Sequence, residues 1–157
     1  MIDRRAISER FFSCYHDKSR RELAELLDVK QPTVTEWATD GKVPWRKLKY
    51  LSDSQAVSWD WLFDGMEPKS SIKLPCVPPT TKPRFDKNGI NRRFLSLFEK
   101  LTQTQIANVF GITPAAVNEW DAGTHQVPWS RQDYAANEYS VRWDWLIDGL
   151  EPKHREQ

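Results

Sequence analysis

The sequence lacks long hydrophobic runs, and its opening residues include no apolar leader. The longest apolar runs are a few residues, far below the ~18 that a membrane-spanning helix needs. No apolar segment follows the charged residues 3–5, as a secretory signal would require. We therefore expect a cytoplasmic protein without a membrane partner.

Cysteine and histidine are also scarce. Cys14 and Cys76 have no metal-ligand spacing with each other or with the three histidines, which are His16, His125 and His154. We therefore expect reduced thiols, no metal site and no cofactor.

An excess of charge of either sign is absent as well. The chain has 23 basic and 22 acidic residues and a net charge of +1. This balance offers little attraction to a polyanion, so any strongly charged face must come from local asymmetry. The 157 residues, 39% hydrophobic and 29% charged, are typical of a soluble globular chain with one or two small domains.

What the sequence does contain is an internal repeat, which the tryptophans reveal. All eight tryptophans form four matched pairs, of which three are 84 residues apart and one is 83 apart. The spacing differs because one residue is inserted in the loop at 121–126. The pairs are Trp37 and Trp120, Trp45 and Trp129, Trp59 and Trp143, and Trp61 and Trp145.

The repeat divides the chain into two domains. The segment 59–69 recurs as 143–153, near the end of each copy. Between the copies, residues 70–89 contain four prolines and no helical periodicity, which is typical of an extended connector. We predict domains at 1–69 and 90–157, joined by a proline-rich linker at 70–89.

Local signals in both copies favour helices, and no strand pattern competes with them. An amphipathic helix is expected from about Arg5 to His16. Ser19 and Glu22 form a capping-box pattern that opens a second helix at Arg20. Thr102 and Gln105 form the same capping-box pattern in copy two. Further helix starts are indicated by N-cap residues at Ser58 and Thr113 and by prolines at the first helical position, which are Pro32, Pro44, Pro114 and Pro128. The sequence thus predicts an all-α fold with about five short helices in each copy.

The second and third helices of each copy are predicted to cross at a tight turn. In copy two, Ala107 allows close approach and Gly111 suits a left-handed turn. Val117 and Trp120 then form the inner stripe of the third helix. Copy one has Asp28 where copy two has Gly111, which predicts either a strained left-handed aspartate or an altered turn, at a cost of about 1 kcal/mol.

The two copies resemble the bacteriophage CI-type repressor helix-turn-helix family, which has the lambda-repressor-like fold. The resemblance rests on residues 23–37, Val43-Pro44 and 57–62 in copy one, and on residues 106–120, Val127-Pro128 and 141–146 in copy two. It implies two tandem lambda-repressor-like domains and a transcriptional regulator that binds double-stranded DNA sequence-specifically. The third helix of each repeat would enter the major groove.

The resemblance also implies which residues contact DNA. Base contacts would come from the start and outer face of the third helix, and phosphate contacts from the preceding helix and the flanking loops. The predicted base-reading residues are Lys30, Gln31, Thr33, Thr35, Glu36, Thr113, Asn118 and Glu119. The predicted phosphate-binding residues are Arg20, Arg21, Lys42, Arg46, Lys47, Gln103 and Arg131.

The two copies differ in charge. Residues 18–49 contain eight basic and five acidic residues and have a net charge of +3. The matching residues 101–133 contain one basic and three acidic residues and have a net charge of −2. Because neutralised phosphates supply most of the nonspecific affinity for DNA, we expect copy two to bind more weakly unless basic residues in and after the linker assist, which are Lys82, Arg84, Lys87, Arg92 and Arg93.

Two questions stay open at this point. The chain could act as an intramolecular pseudo-dimer or as a homodimer, and copy two could serve pairing or protein contact. The alternative function is a protein-interaction adaptor, of antirepressor or antitoxin type, that keeps the fold without strong DNA binding.

An enzyme with a small-molecule substrate is not expected. Asp60 and Asp64 are near the ends of a short predicted helix, where capping and solvation account for them, as do Asp144 and Asp148 in copy two. The fixed positions of the tryptophans fit core packing better than a base-stacking platform.

Overall fold

The computed structural model describes residues 2–70, 85–151 and 153–154. Its contacts divide the chain into two compact units, Ile2–Arg84 and Phe85–Gln157, which we call the N-terminal and C-terminal units. In the described residues, two isolated β-bridges accompany a set of α-helices, which confirms the all-α prediction. No helix in this part of the chain is long and apolar enough to span a membrane.

The N-terminal unit contains five described helices. They are α1 (Arg4–Ser13), α2 (Arg20–Leu26), α3 (Gln31–Asp40), α4 (Trp45–Gln55) and α5 (Trp59–Asp64). Helix α3 packs against both α1 and α2, and α5 packs against α1. After α5, Ser70 pairs with Val57 in an isolated antiparallel bridge.

The C-terminal unit repeats this order of helices. They are α6 (Lys87–Ser96), α7 (Gln103–Phe110), α8 (Pro114–Asp121), α9 (Trp129–Glu138) and α10 (Trp143–Asp148). Helix α8 packs against α6 and α7, and α10 packs against α6 and α9. The bridge recurs between Val141 and His154. That both units have the lambda-repressor-like fold stays a prediction.

Four of the described helices begin directly after the N-cap residues that the sequence predicts, as in α2, α5, α7 and α8. Ser19 and Glu22 form a complete capping box, and Thr102 and Gln105 form its counterpart. Hydrogen bonds from the Ser19 hydroxyl and backbone N–H lower the pKa of the Glu22 carboxyl. Each box satisfies N–H groups that a helix start would otherwise leave without partners.

The other predicted starts need small corrections. Pro44 and Pro128 are N-cap residues and not the first residues of their helices, so α4 and α9 begin one residue later than predicted. Pro32 is the second residue of α3, which begins at Gln31. Helix α1 ends at Ser13 and not near His16, because the chain continues from Cys14 in turns.

The predicted linker at 70–89 is too long at its C-terminal end. Helix α6 begins at Lys87, because the Asp86 carboxylate accepts a hydrogen bond from the Gly89 N–H at 3.0 Å and so caps the first turn. The ring of Phe85 also packs against Trp129 at 5.3 Å between centroids. Residues 71–84 of the predicted linker lie outside the described residues.

Five of the eight tryptophans lie in the cores, as their fixed spacing predicts, and the other three are half-buried. Trp59 and Trp143 are fully buried, and Trp37 and Trp120 are buried against the second helix of their units. Trp120 also contacts the rings of Phe94 and Phe110 in edge-to-face geometry. Aromatic side chains of this size contribute much of the stability of a small core, so the contacts of Trp120 hold α8 against α6 and α7 in the C-terminal unit.

One half-buried arginine in each unit connects the first helix to the fifth. Arg10 donates hydrogen bonds to the carbonyl oxygens of Leu62 and Phe63 at 2.9 and 3.0 Å. Arg93 donates to the corresponding carbonyls of Leu146 and Ile147 at 2.9 and 2.7 Å. These carbonyls are at the end of α5 and α10, where a helix has unsatisfied acceptors and a partial negative charge. Burial lowers the pKa of the Arg93 guanidinium.

The inserted residue of copy two is accommodated by a longer side chain. In the N-terminal unit the Ser8 hydroxyl donates to the Trp37 carbonyl at 2.9 Å. Its counterpart Asn91 donates to the Trp120 carbonyl at 2.8 Å and to the His125 carbonyl at 2.7 Å. Asn91 also accepts a hydrogen bond from the Val127 N–H at 3.0 Å. The longer amide therefore holds both ends of the longer loop.

The turn after the second helix has the left-handed conformation that the sequence predicts. Gly111 has φ +61° and Asp28 has φ +51°. A Cβ added at Gly111 would meet no described heavy atom within 4 Å. A side chain at this turn is therefore disfavoured by the backbone conformation and not by a steric clash. An aspartate tolerates this region better than most residues but is still strained in it.

We expect Asp28→Gly to raise the free energy of unfolding of the N-terminal unit by about 0.5–1 kcal/mol, because glycine relieves the strain at positive φ. The matched change Gly111→Asp should destabilise the C-terminal unit by a similar amount. Urea denaturation of both variants measures the effect. A loss of stability in Asp28→Gly would show that the side chain of Asp28 contributes more than its backbone strain costs.

Candidate nucleic-acid interface

Helix α3 presents a polar face outward from the core. Val34 and Trp37 are buried on its inner side. Gln31 and Glu36 are exposed, while Thr33 and Thr35 are half-buried. Lys30 is the N-cap of α3, is exposed and makes no side-chain capping bond. All five residues that the sequence predicts as base readers in this unit thus lie at the start of α3 or away from its buried stripe.

Arg20 connects the second helix to this face. Its Nη1 donates to the hydroxyl oxygen of Thr35 at 3.3 Å, and the Thr35 hydroxyl donates to the Gln31 carbonyl at 3.3 Å. Arg20 is exposed, so its charge stays at the surface beside the polar face of α3. The structure therefore brings together one predicted phosphate contact and two predicted base readers.

The other predicted phosphate contacts of this unit differ in their surroundings. Arg21, Lys42 and Arg46 are exposed, and Arg21 pairs with Glu25 at 3.1 Å on the same helix. Such an exposed pair contributes little to stability and is screened by salt, so Arg21 remains available to bind a phosphate. Lys47 is half-buried, and its ammonium donates to the Leu27 carbonyl at the end of α2. Lys47 is the least available phosphate contact of the set.

The corresponding face of α8 is more constrained. The Thr113 hydroxyl caps the helix by accepting a hydrogen bond from the Ala116 N–H at 3.3 Å. Glu119 lies 3.2 Å from the His125 ring, in the loop that carries the inserted residue. Asn118 is exposed. Two of the three predicted base readers of this unit therefore have local partners.

The predicted phosphate contacts of the C-terminal unit are also weaker. Gln103 is exposed but uncharged, at the position that Arg20 has in the first copy. Arg131 is half-buried, with its guanidinium 5.5 Å from the centre of the Phe110 ring. That stacking fits a role in packing α9 against the end of α7.

Sequence reasoning assigned no role to α1, yet its outer side borders α2 and α3. An open groove of about 480 Å³ lies between α1 and the start of α2, and we call it the α1–α2 groove. Its lining includes Arg5, Glu9, Lys18 and Arg20, together with Ala38 of α3. A comparison of the charges in the two copies could have found these residues.

The structure describes one of the two cysteines and the surroundings of candidate metal ligands. Cys14 is a free thiol, and burial raises its pKa, which lowers its reactivity. Cys76 lies outside the described residues. Among the residues that are described, no group of three or more histidine, cysteine, aspartate or glutamate side chains is arranged to hold a metal ion.

Comparisons with known proteins assign no family to this arrangement. No family model matches the chain, and comparison with curated proteins and with solved structures found no match.

Proposed function

We propose that the chain is a cytoplasmic transcriptional regulator of phage-repressor type that binds double-stranded DNA, with α3 of the N-terminal unit in the major groove. The observation that carries this proposal is the outward polar face of α3, bordered by the exposed Arg20. Amide, hydroxyl and carboxylate groups are the ones that pair with base edges, and arginine binds phosphate well.

The dimensions of α3 support this placement. The helix has 10 residues, which corresponds to a length of about 15 Å. The major groove of B-DNA is about 12 Å wide and admits an α-helix. Lys30 and Gln31 are at the N-terminal end of α3, which is the end that contacts bases in helix-turn-helix proteins.

The two units would contribute unequally. The C-terminal unit has a net charge of −2 over residues 101–133, and Glu119 and Arg131 both have partners within the unit. We propose that the N-terminal unit supplies most of the affinity. The C-terminal unit would read bases mainly through Asn118.

A second candidate function is favoured by the surface of the C-terminal unit. Among the described residues, four of the five large hydrophobic side chains that are exposed belong to this unit. They are Leu101, Val109, Tyr134 and Tyr139, with Leu26 as the fifth. Apolar side chains on an acidic surface suit protein contact better than DNA contact, as in a protein-interaction adaptor. The unit could use them to pair with a second copy or with another protein.

Binding of the full chain to mixed-sequence duplex DNA at several salt concentrations tests the proposal. We expect log K to fall linearly with log[salt], and we expect Arg46→Ser to reduce the slope by about one. The second copy has Ser130 at that position, so the fold accepts the substitution. The control is Lys100→Ala, an exposed charge of the C-terminal unit, which should leave the slope unchanged. Absence of salt-dependent duplex binding would contradict the proposal and favour the adaptor.

A further inference from the structure

The charged residues that line the α1–α2 groove differ from the residues at the matching positions of the C-terminal unit. In the N-terminal unit its lining has three permanent cations, Arg5, Lys18 and Arg20, against the single carboxylate of Glu9. The positions that match these four residues in the C-terminal unit hold Asn88, Leu101, Gln103 and Arg92. There, the counterparts of His16 and Ala38 are Glu99 and Asp121. The cations are therefore not required by the fold, because the other copy does without all three.

The groove continues the polar face of α3. Ala38 lines the groove and follows Thr35 by three residues, so both lie on the same side of the helix. Arg20 lines the groove and donates to the Thr35 hydroxyl. An anion in the groove would therefore lie next to whatever α3 contacts.

The existing partners of the cations are weak. Arg5 lies 3.6 Å from Glu9, with 85% and 71% of their side chains exposed. Lys18 lies 3.4 Å from Asp17, whose side chain is 61% exposed. Exposed pairs of this kind contribute about 0–1 kcal/mol and are screened by salt, so a phosphate can compete with the carboxylates.

We propose that the α1–α2 groove binds the sugar-phosphate backbone of the DNA strand that flanks the base pairs contacted by α3. The inference rests on the proposed function. The groove volume is within the range of about 300–1,000 Å³ typical of small-ligand pockets, so it has room for a phosphate and its sugar. Arg5 and Lys18 thereby join Arg20 as phosphate contacts, and α1 becomes part of the interface.

The test uses the full chain with the double substitution Arg5→Asn and Lys18→Leu. These are the residues of the second copy at the same positions, and neither belongs to the surface on which the proposed function rests. The control is Lys100→Ala, which removes an exposed cation of the C-terminal unit that has no proposed contact with DNA. Thermal unfolding of both variants shows that they are folded.

We expect the groove variant to bind every duplex more weakly and to lower the slope of log K against log[salt] by about two, with sequence preference unchanged. The control should keep the original slope. An unchanged slope in the groove variant, with duplex binding intact, overturns the groove inference but not the proposed function. Absence of duplex binding by the unmodified chain overturns both.

Titration of the unmodified chain with deoxyadenosine monophosphate distinguishes a site for the DNA backbone from a site for a free anion. Little binding is expected, because a single nucleotide lacks the contacts to α3. If the nucleotide binds and the groove variant abolishes that binding without changing the duplex slope, the groove is a site for a diffusible ligand, and the proposal is overturned.

Discussion

Replacing Gln31 with alanine is expected to reduce the affinity of the chain for its preferred duplex by about 1–3 kcal/mol, or roughly five- to 150-fold. Gln31 is exposed at the first position of α3, where its amide can donate and accept at the same base edge. Because alanine removes no charge, binding to mixed-sequence DNA should change much less. The expected loss is therefore a loss of discrimination.

Competition between the preferred duplex and duplexes with single base changes measures this effect. The control is Gln55→Ala, the same substitution at the exposed end of α4. We expect the Gln55 variant to discriminate as the unmodified chain does. If Gln31→Ala weakened all duplexes equally, or none, then Gln31 would not be a base-reading residue.

Replacing Arg10 with alanine is expected to lower the free energy of unfolding of the N-terminal unit by about 2–4 kcal/mol. The variant loses two hydrogen bonds from a charged donor and leaves the carbonyls of Leu62 and Phe63 without it. It also removes a positive charge from the C-terminal end of α5. Arg93→Ala should have the same effect on the C-terminal unit.

Urea denaturation, followed by tryptophan fluorescence, measures both variants. Arg5→Ala is the matched control, because Arg5 is on the same helix but pairs only with the exposed Glu9. We expect this control to change the stability by less than about 0.5 kcal/mol. Equal losses in the Arg10 and Arg5 variants would show that the contact between α1 and the end of α5 is not what stabilises the unit.

The sequence predicted best those features that depend on residues a few positions apart. Ser19 with Glu22 and Thr102 with Gln105 are three residues apart, so their capping boxes need no information from the rest of the fold. The left-handed turn at Gly111 is local in the same way, and the repeat transferred that expectation to Asp28. Such features depend on neighbouring residues and not on how the helices pack.

The sequence predicted less well those features whose local pattern is weak or whose partners are distant in the chain. The first turn of α6 is Lys87-Asn88-Gly89, which has no apolar residue and therefore no helical periodicity, so the sequence pattern does not predict the cap at Asp86. Lys47 resembles an exposed cation at the start of a helix, but its ammonium reaches the carbonyl of Leu27, twenty residues earlier. Only the packing of α4 beside the end of α2 makes that contact visible.

The groove residues show the same limit for the candidate interface. Arg5 and Lys18 are far from α3 in sequence, and their side chains pair with neighbouring carboxylates in the ordinary way of surface charges. They become candidates only because α1 packs against α3 and because the second copy lacks both charges. A duplicated chain thus provides its own comparison, since a charge that only one copy carries is not required by the fold.

Selection of bound duplexes from a random pool, carried out with the full chain and with Gln31→Ala, shows directly whether α3 reads DNA sequence. We predict that the full chain enriches a short motif and that the variant loses preference at one position within it, with the remaining positions unchanged. A pool that stays random after selection by the full chain would contradict the claim that α3 reads DNA sequence.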